Sequence, residues 1–205
     1  MASLLVGIAG GSGSGKTTLA KGVAAALPPG QAVVIPHDAY YRDLGYLPFA
    51  ERSLSNFDEP AALDNDRLLE HLTALRAGNA IAKPNYDFVT HTRLAATTPV
   101  SPASVVIVEG ILVLAIPALR GVLDFKVYVD CSESIRLARR VWRDCVERGR
   151  TKESVVAQYQ SATLPMHALH VAPSRAWADL VVSGEAEPGR AIESCLVGIH
   201  RKLRH

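Results

Sequence analysis

The stretch that decides the fold is Gly10-Gly11-Ser12-Gly13-Ser14-Gly15-Lys16-Thr17, which is followed by Thr18. It comes directly after the apolar run 4–9, typical of a buried strand, and it opens a helical pattern over residues 16–26. Glycines let a loop turn its backbone N–H groups inward, where they and the positive end of the next helix hold phosphates. In this pattern Lys16 reaches the outer phosphates and Thr17 holds Mg²⁺. The stretch therefore predicts a phosphate-binding loop for a nucleotide such as ATP or GTP.

Short apolar runs alternate with helical segments along the rest of the chain. The predicted strands are 4–9, 32–36, 105–108, 125–129 and 180–182, and the predicted helices are about 16–26, 64–77, 132–148, 152–163 and 189–203. This alternation predicts an α/β fold of three layers with a parallel central sheet. Asp64 is predicted to be the N-cap of the helix that Gly78-Asn79 ends. A length of 205 residues favours one domain over 1–205.

Residues 80–103 do not fit the alternating pattern. They contain Pro84, Pro99 and Pro102 with aromatic and β-branched residues between them, which predicts an exposed hairpin instead of a core strand. The hairpin is either a flap over a pocket or an insertion without ligand contact. The tyrosines at 40, 41 and 46 either line that pocket or pack within a turn.

Composition excludes several classes of protein. Apolar residues are 48%, charged residues are 20% and the net charge is +2, so no nucleic acid or membrane partner is expected. The cysteines number three and form no Cys-x-x-Cys pair, which argues against a disulfide framework or a zinc site. The apolar stretch 1–8 has no basic residues and predicts a strand, not a signal peptide. The expected location is the cytoplasm.

Two carboxylates follow predicted strands. Glu109 ends the run 105–108, and Asp38 follows the strand 32–36. Ligands of parallel α/β sheets bind beyond the carboxyl ends of the strands, so both side chains are expected beside Lys16. Glu109 is predicted to hold Mg²⁺ directly or through water. Asp38 takes a proton from an attacking hydroxyl or aligns that hydroxyl with Mg²⁺; alternatively, it makes an Asx-turn.

The predicted helix at 132–148 carries a basic run. Its members and the residues just after it are Arg136, Arg139, Arg140, Arg143, Arg148, Arg150 and Lys152. At 100° per residue one stripe carries arginines, and a second stripe, formed by Ile135, Ala138, Trp142 and Cys145, is predicted to pack. Guanidinium groups bind phosphate bidentately, so residues of about 132–152 are predicted to form a lid over a triphosphate. The alternatives are a solvated face and a nucleic-acid patch.

These residues, taken in order, resemble the uridine/cytidine kinase family over nearly the whole chain. The matching motifs are Gly-Gly-Ser-Gly-Ser-Gly-Lys-Thr-Thr at 10–18, His-Asp-Ala-Tyr-Tyr-Arg at 37–42, Asn-Phe-Asp-Glu-Pro at 56–60, Tyr-Asp-Phe-Val-Thr-His-Thr-Arg at 86–93, Val-Glu-Gly-Ile-Leu at 108–112, Arg-Asp-Cys-Val-Glu-Arg-Gly-Arg at 143–150 and Gln-Tyr at 158–159. The resemblance implies a P-loop kinase with a nucleoside-binding flap and an Arg-rich helical lid. It also implies transfer of the γ-phosphoryl of ATP or GTP to the 5′-hydroxyl of uridine or cytidine, in pyrimidine salvage.

The resemblance further implies roles for single residues. Asp38 matches the catalytic carboxylate, and Thr17, Glu109 and Asp38 are the expected neighbours of Mg²⁺. The nucleoside side is expected to comprise Asp58 with Arg140 on the ribose, Arg150 and Gln158 beside it, Tyr86 and His91 on the base edge, and Phe57, Phe88 and Tyr159 as walls of the base pocket. Lys16, Arg143 and Arg148 match groups that act on the phosphates.

The chain also departs from the family pattern. Ala39 stands where a serine is usual, Glu59 stands where a histidine is usual, and the segment after Gly184 matches poorly. Relatives form homotetramers and respond to CTP, so a tetramer and feedback inhibition by CTP or UTP are expected. The competing hypotheses are a kinase of another alcohol, such as phosphoribulokinase or pantothenate kinase, and a P-loop nucleotide switch.

Overall fold

The computed structural model describes residues 3–204, so Met1, Ala2 and His205 lie outside the described part, including the first two residues of the apolar stretch 1–8. The strands are β1 Leu4–Gly10, β2 Ala32–Pro36, β3 Ile81–Asp87, β4 Thr92–Val100, β5 Val105–Glu109, β6 Phe125–Asp130 and β7 Leu180–Ser183. Five of them form a parallel sheet in the order β2-β5-β1-β6-β7. The predicted parallel sheet is confirmed, with each strand matching its predicted range to within one residue at either end.

The helices surround this sheet. They are α1 Lys16–Ala26, α2 Phe49–Leu54, α3 Asn65–Arg76, α4 Pro117–Val122, α5 Glu133–Glu147, α6 Lys152–Gln158, α7 Leu164–Met166, α8 Ala172–Ser174 and α9 Pro188–Leu203. Short 3₁₀ turns occur at His37–Tyr40, Pro60–Ala62 and Arg175–Trp177, and π-helical turns at Tyr159–Thr163 and His167–Val171. The sequence did not predict α2, α4 or the helical course that continues beyond residue 163.

The central strand β1 is buried on both faces. Leu5 and Ala9 belong to one apolar cluster with α3 and α4, whereas Val6 and Ile8 belong to a second cluster with α1 and α9. Successive side chains of a strand point to opposite faces, so a continuous apolar run requires helices on both sides. This explains the three layers. No helix within residues 3–204 is long and apolar enough to cross a membrane.

The predicted hairpin is formed by β3 and β4, which pair antiparallel from Ile81–Val100 to Asp87–Thr92. Asp64 precedes α3 as predicted, but its side chain makes no capping hydrogen bond. Its carboxylate instead accepts from Arg93 Nη1 at 3.0 Å, and the same guanidinium donates to the carbonyls of Tyr40 and Tyr41. Asp64 therefore anchors the hairpin to the turn after β2, because a charged donor from the hairpin outcompetes the local backbone N–H groups.

The packing of α5 is opposite to the prediction. Arg136 and Arg140 are buried, whereas Trp142 of the apolar stripe is 64% exposed and Ala138 is also exposed. The arginine stripe faces inward because partners for its guanidinium groups lie there. Arg136 Nε donates to the Cys131 carbonyl at 3.1 Å. The prediction that the apolar stripe packs was wrong, since hydrophobicity alone does not account for buried polar partners.

Candidate active site

The phosphate-binding loop connects β1 to α1. Gly13 and Gly15 have φ values of +79° and +99°, which side chains rarely adopt, and a Cβ at Gly13 would lie 2.3 Å from the Arg136 carbonyl oxygen. Lys16 Nζ donates to the Gly11 carbonyl at 3.2 Å. Burial lowers the pKa of Lys16, while the carboxylates of Glu109 and Asp38 raise it. The loop therefore holds a buried amine whose charge is supported by two acids.

The end of β5 brings an acid to the start of α1. Thr17 Oγ1 donates to Glu109 Oε1 at 2.9 Å, and burial raises the pKa of Glu109. Asp38, half-buried in the 3₁₀ turn after β2, lines the same cavity as both residues. A hydroxyl and carboxylates are the oxygen ligands that Mg²⁺ uses together with substrate phosphates. These side chains therefore fit a Mg²⁺ ion.

The loop separates two cavities. The inner cavity, of about 90 Å³, is lined by Ser12, Lys16, Thr17, Asp38, Tyr41, Phe57, Asp58, Tyr86, Phe88, His91, Glu109, Ile111, Arg140, Arg143, Arg148, Arg150 and Gln158. Fourteen of these residues, all but Ser12, Tyr41 and Ile111, were expected from the sequence or its family resemblance to have a catalytic, metal-binding or substrate-binding role. Lys16 and Thr17 were also expected to bind the nucleotide. Ser12 was predicted as part of the phosphate loop. Tyr41 and Ile111 are additions.

The outer cavity, of about 580 Å³, lies on the other side of the loop. Its lining comprises Gly13, Gly15, Lys16, Thr17, Thr18, Leu19, Lys21, Val129, Arg139, Trp142, Arg143, Glu147, Val182, Ser183, Gly184, Ala186, Pro188 and Ala191. The two cavities share Lys16, Thr17 and Arg143. Ligands in the two cavities would meet at these three side chains, which is the arrangement that direct transfer of a phosphoryl group requires.

Asp58 also lines the inner cavity and is 7% exposed. Thr163, in the first π-helical turn, donates its hydroxyl to Asp58 Oδ2 at 2.7 Å. Arg140, which the resemblance implied as an assistant to Asp58 on the ribose, donates to Ser12 Oγ at 3.2 Å and to Gln158 Oε1 at 3.1 Å. Asp58 thus keeps one oxygen free of these donors and open to a ligand.

Aromatic rings surround the hairpin side of the inner cavity. The ring of Tyr41 lies 5.2 Å from that of Tyr86 and 5.5 Å from that of Phe57. The imidazole of His91 stacks on Phe57 with centroids 4.8 Å apart and planes 19° apart. Arg148 lies over Phe88 at 4.5 Å. This half of the cavity matches a flat, apolar ligand.

Two polar atoms in this aromatic region are available to a ligand. The Tyr86 hydroxyl is buried and has no hydrogen-bond partner among residues 3–204. Burial, followed by the charges of Arg150, Arg148 and Arg52, lowers the pKa of His91, so its imidazole is neutral near pH 7. A neutral imidazole has one donor and one acceptor nitrogen. His91 lies at the hairpin tip in a left-handed backbone conformation with φ +56°, and it lines the inner cavity.

Tyr159 does not take the predicted position. Its ring is 1% exposed, it does not line the inner cavity, and its charged neighbours include Arg136 and Arg140. The preceding residue, Gln158, faces the cavity. The Tyr159 side chain is instead buried beside Arg136 of α5. The expectation that Tyr159 forms a wall of a base pocket is therefore corrected, and Tyr41 takes that place.

Several side chains of the site were not predicted from the sequence. For Tyr40, Tyr41 and Tyr46 the sequence left open whether they line a pocket or pack within a turn. Tyr41 lines the inner cavity, whereas the Tyr40 hydroxyl forms a hydrogen bond with His71 Nδ1 at 2.8 Å and Tyr46 is 78% exposed. Thr163 and Asp144 were not singled out. Asp144 lies within the arginine run. An acid among arginines indicates a buried ion-pair cluster only when it is known which face of α5 points inward.

Comparison with known proteins places this geometry in a family. The phosphoribulokinase / uridine kinase family profile matches residues 5–187. The chain is 42% identical over 201 residues to the uridine kinase of Chloroflexus aurantiacus, covering 98% of this chain and 96% of that protein. It is 46% identical over 200 residues to the uridine kinase of Geobacillus kaustophilus, covering 98% and 95%. The structure of phosphoribulokinase from Rhodobacter spheroides superposes with a TM-score of 0.65 at 15% identity, over 88% of this chain and 70% of that one, and shares the fold. The chain belongs to the phosphoribulokinase / uridine kinase family.

Proposed function

We propose that this protein is a uridine kinase that transfers the γ-phosphoryl of ATP or GTP to the 5′-hydroxyl of uridine or cytidine, giving UMP or CMP. The observation that carries the proposal is the content of the inner cavity. One buried carboxylate, Asp58, and a set of aromatic and imidazole groups lie in the same cavity as Asp38 and Lys16. Vicinal ribose hydroxyls match a carboxylate acceptor, and a pyrimidine matches the aromatic walls. The names of the curated relatives support the same activity.

In this proposal each side chain has a distinct task. Asp58 accepts from the ribose hydroxyls and fixes the nucleoside, so that its 5′-hydroxyl points toward Asp38. Asp38 orients that hydroxyl and takes its proton as the new P–O bond forms. Lys16, Arg143 and Arg148 stabilise the charge on the transferring group, which is the main source of catalysis for a loose transition state. Thr17, Glu109 and Asp38 would hold Mg²⁺, which would neutralise part of the negative charge of the phosphates.

The inner cavity must open for a nucleoside to enter. Its volume of about 90 Å³ is below the range of roughly 300 Å³ and above that is usual for small-molecule sites. The side chains of Arg140, Arg143 and Arg148 and the tip of the β3–β4 hairpin form part of its boundary. In the proposal, entry of the nucleoside displaces them outward and the hairpin acts as the flap. The donor occupies the outer cavity, with α5 as the lid.

Several finer properties belong to this proposal. Residues 1–205 act as one kinase domain, the donor is ATP or GTP with Mg²⁺, and the protein works in the cytoplasm as a homotetramer in pyrimidine salvage. Its partner is a nucleoside, not nucleic acid or a membrane. Oligomeric state in solution is tested by light scattering, and metal dependence by activity after chelation and addition of Mg²⁺.

The proposal is tested by measuring release of ADP in the presence of separate alcohols. The panel contains uridine, cytidine, adenosine, guanosine, ribulose 5-phosphate and pantothenate. Turnover with the two pyrimidine nucleosides and not with the purines is expected. Turnover with ribulose 5-phosphate or pantothenate alone would indicate a kinase of another alcohol. Slow hydrolysis indifferent to every alcohol would indicate a nucleotide switch, and either result contradicts the proposal.

Replacement of His91 tests recognition of the base. Uracil presents an N3–H donor beside a carbonyl acceptor, whereas cytosine presents an N3 acceptor beside an amino donor. A neutral imidazole serves both by changing its tautomer, with Tyr86 beside it. His91→Leu is expected to cost roughly 1–3 kcal/mol in kcat/KM for both nucleosides. The KM for ATP is expected to stay near its wild-type value in the same steady-state assays.

The control for this prediction is His91→Asn. Leucine strains a backbone with φ +56°, but asparagine tolerates that conformation while its shorter amide withdraws from the base. Both variants are expected to lose nucleoside kcat/KM. If His91 only braces the hairpin tip, His91→Asn would keep wild-type kcat/KM and His91→Leu alone would lower the melting temperature.

CTP is expected to inhibit competitively with uridine, and UTP likewise. The inner cavity contains both the proposed nucleoside groups and the phosphate-binding Arg143 and Arg148, so one pyrimidine triphosphate reaches both. Arg143→Ala is expected to raise the inhibition constant of CTP roughly tenfold or more, because a charged hydrogen-bond donor is lost. Initial rates at varied CTP and uridine measure this, with CMP as the control ligand that lacks the outer phosphates. Equal inhibition of wild type and variant would refute it.

A further inference from the structure

Asp144 on α5 lies at the centre of an arginine cluster. Its side chain is fully buried, and four guanidinium groups approach it, from Arg140, Arg143, Arg148 and Arg150. All four arginines line the inner cavity, whereas Asp144 does not reach its surface. The other acids that form ion pairs within residues 3–204 each contact a single cation. The burial and number of partners of Asp144 set it apart from an ordinary surface salt bridge.

The two carboxylate oxygens of Asp144 serve different arginines. Oδ1 lies 2.8 Å from Arg143 Nη2 and 3.5 Å from Arg148 Nη1. Oδ2 lies 3.6 Å from Arg140 Nε and 3.9 Å from Arg150 Nη1. The first pair belongs to the proposed phosphate lid, and the second to the proposed nucleoside side.

The second pair is also joined through Gln158. Arg140 and Arg150 both donate to Gln158 Oε1, and the Arg150 backbone N–H donates to the Asp144 carbonyl at 3.1 Å. The carboxylate therefore connects the lid arginines to a second hydrogen-bonded group, which includes Gln158 of α6. If one pair of arginines moves, the carboxylate of Asp144 moves with it. The electrostatic attraction that this carboxylate exerts on the other pair then changes.

We propose that Asp144 is a positioning residue that couples the two substrate sites, so that binding of either substrate arranges the arginines for the other. This inference rests on the proposed function. In the absence of Asp144 the four like charges would repel one another and turn toward solvent. Once phosphates fix Arg143 and Arg148, the carboxylate is fixed too, and Arg140 and Arg150 need less ordering to receive a nucleoside. Such sharing of the ordering cost makes binding cooperative.

Calorimetry of uridine binding, with and without a non-hydrolysable ATP analogue and Mg²⁺, measures the coupling. In the wild type the analogue is expected to tighten uridine binding by about fivefold or more, within the usual range of coupling between sites. In Asp144→Asn this factor is expected to fall below about twofold, and Asp144→Glu, which keeps the charge, is expected to restore part of it. Glu133→Gln removes an exposed acid from the first turn of the same helix and is expected to keep the wild-type factor.

Folding of the variants is checked by melting curves. If Asp144→Asn does not fold, the charge-compensated variant Asp144→Asn with Arg150→Gln takes its place, and loss of coupling is again expected. An unchanged factor in a folded variant, or a wild-type factor near one, would overturn the role of Asp144. Failure of the proposed function would give a different result, because the wild type would then not phosphorylate uridine at all.

Discussion

Asp38→Asn is expected to lower kcat for uridine by roughly 10²- to 10⁴-fold, the usual cost of losing a general base. Asparagine keeps the size and one acceptor oxygen of aspartate but cannot take the proton from the 5′-hydroxyl. The KM for uridine is expected to change little, because Asp58 and the hairpin side chains, and not Asp38, are proposed to hold the ribose and base. Steady-state kinetics with saturating ATP and Mg²⁺ measures both constants.

The matched control for Asp38 is Asp43→Asn. Asp43 lies five residues further along the chain, and its Oδ1 accepts from the backbone N–H groups of Gly45 and Arg93, both at 3.1 Å. Asparagine retains that oxygen, so kcat is expected to stay near the wild-type value. A folded Asp38→Asn variant that kept more than half of the wild-type kcat would remove Asp38 from the proposed mechanism.

Asp58→Ala is expected to lower kcat/KM for uridine by roughly 10²- to 10⁴-fold. Two hydrogen bonds from the ribose hydroxyls to a charged acceptor are lost, at about 1.5–3 kcal/mol each. The substrate 2′,3′-dideoxyuridine, which lacks both hydroxyls but keeps the 5′-hydroxyl, is expected to lose much less. The variant should therefore discriminate poorly between the two nucleosides, and kcat/KM values for both substrates measure the ratio.

The position of Asp58 is tested separately from its chemistry. Thr163→Val removes the hydroxyl that donates to Asp58 Oδ2 at 2.7 Å and keeps the shape of a side chain that is 3% exposed. It is expected to raise the KM for uridine more than it lowers kcat, since the acceptor remains but is less well oriented. If Asp58→Ala reduced activity toward uridine and dideoxyuridine equally, Asp58 would not be a ribose acceptor.

The site was predictable from sequence where the chain is locally constrained. The phosphate loop follows from glycines between an apolar strand and a helix, and the structure places Lys16 and Thr17 at the start of α1. Asp38 and Glu109 follow strands of one parallel sheet, so both had to lie at the same edge. The hairpin of β3 and β4 followed from its prolines and aromatic residues. Each of these inferences needed only neighbouring residues and the rule that strands of one sheet share an edge.

The orientation of α5 and the contents of its buried face depended on the tertiary structure. Periodicity identified two stripes, but it assigned the apolar stripe to the interior and the arginine stripe to a bound phosphate or to solvent. In the structure Trp142 is 64% exposed and Asp144 is fully buried. The reason is that buried guanidinium groups have polar partners within reach, namely the Cys131 carbonyl just before α5, the Ser12 hydroxyl of the phosphate loop and the Asp144 carboxylate of α5 itself.

The sequence by itself therefore determined the strands of the central sheet, most of the helices between them, the phosphate loop and the hairpin. Its resemblance to a family supplied most of the groups in the inner cavity. Only the tertiary structure decided that Tyr41 and not Tyr159 joins the aromatic wall, that Thr163 donates to Asp58, and that one carboxylate joins four arginines. Local patterns follow from hydrogen bonding and burial within a segment. Contacts between side chains 100 residues apart depend on how whole elements pack, as in the bond between Asp58 and Thr163, 105 residues away.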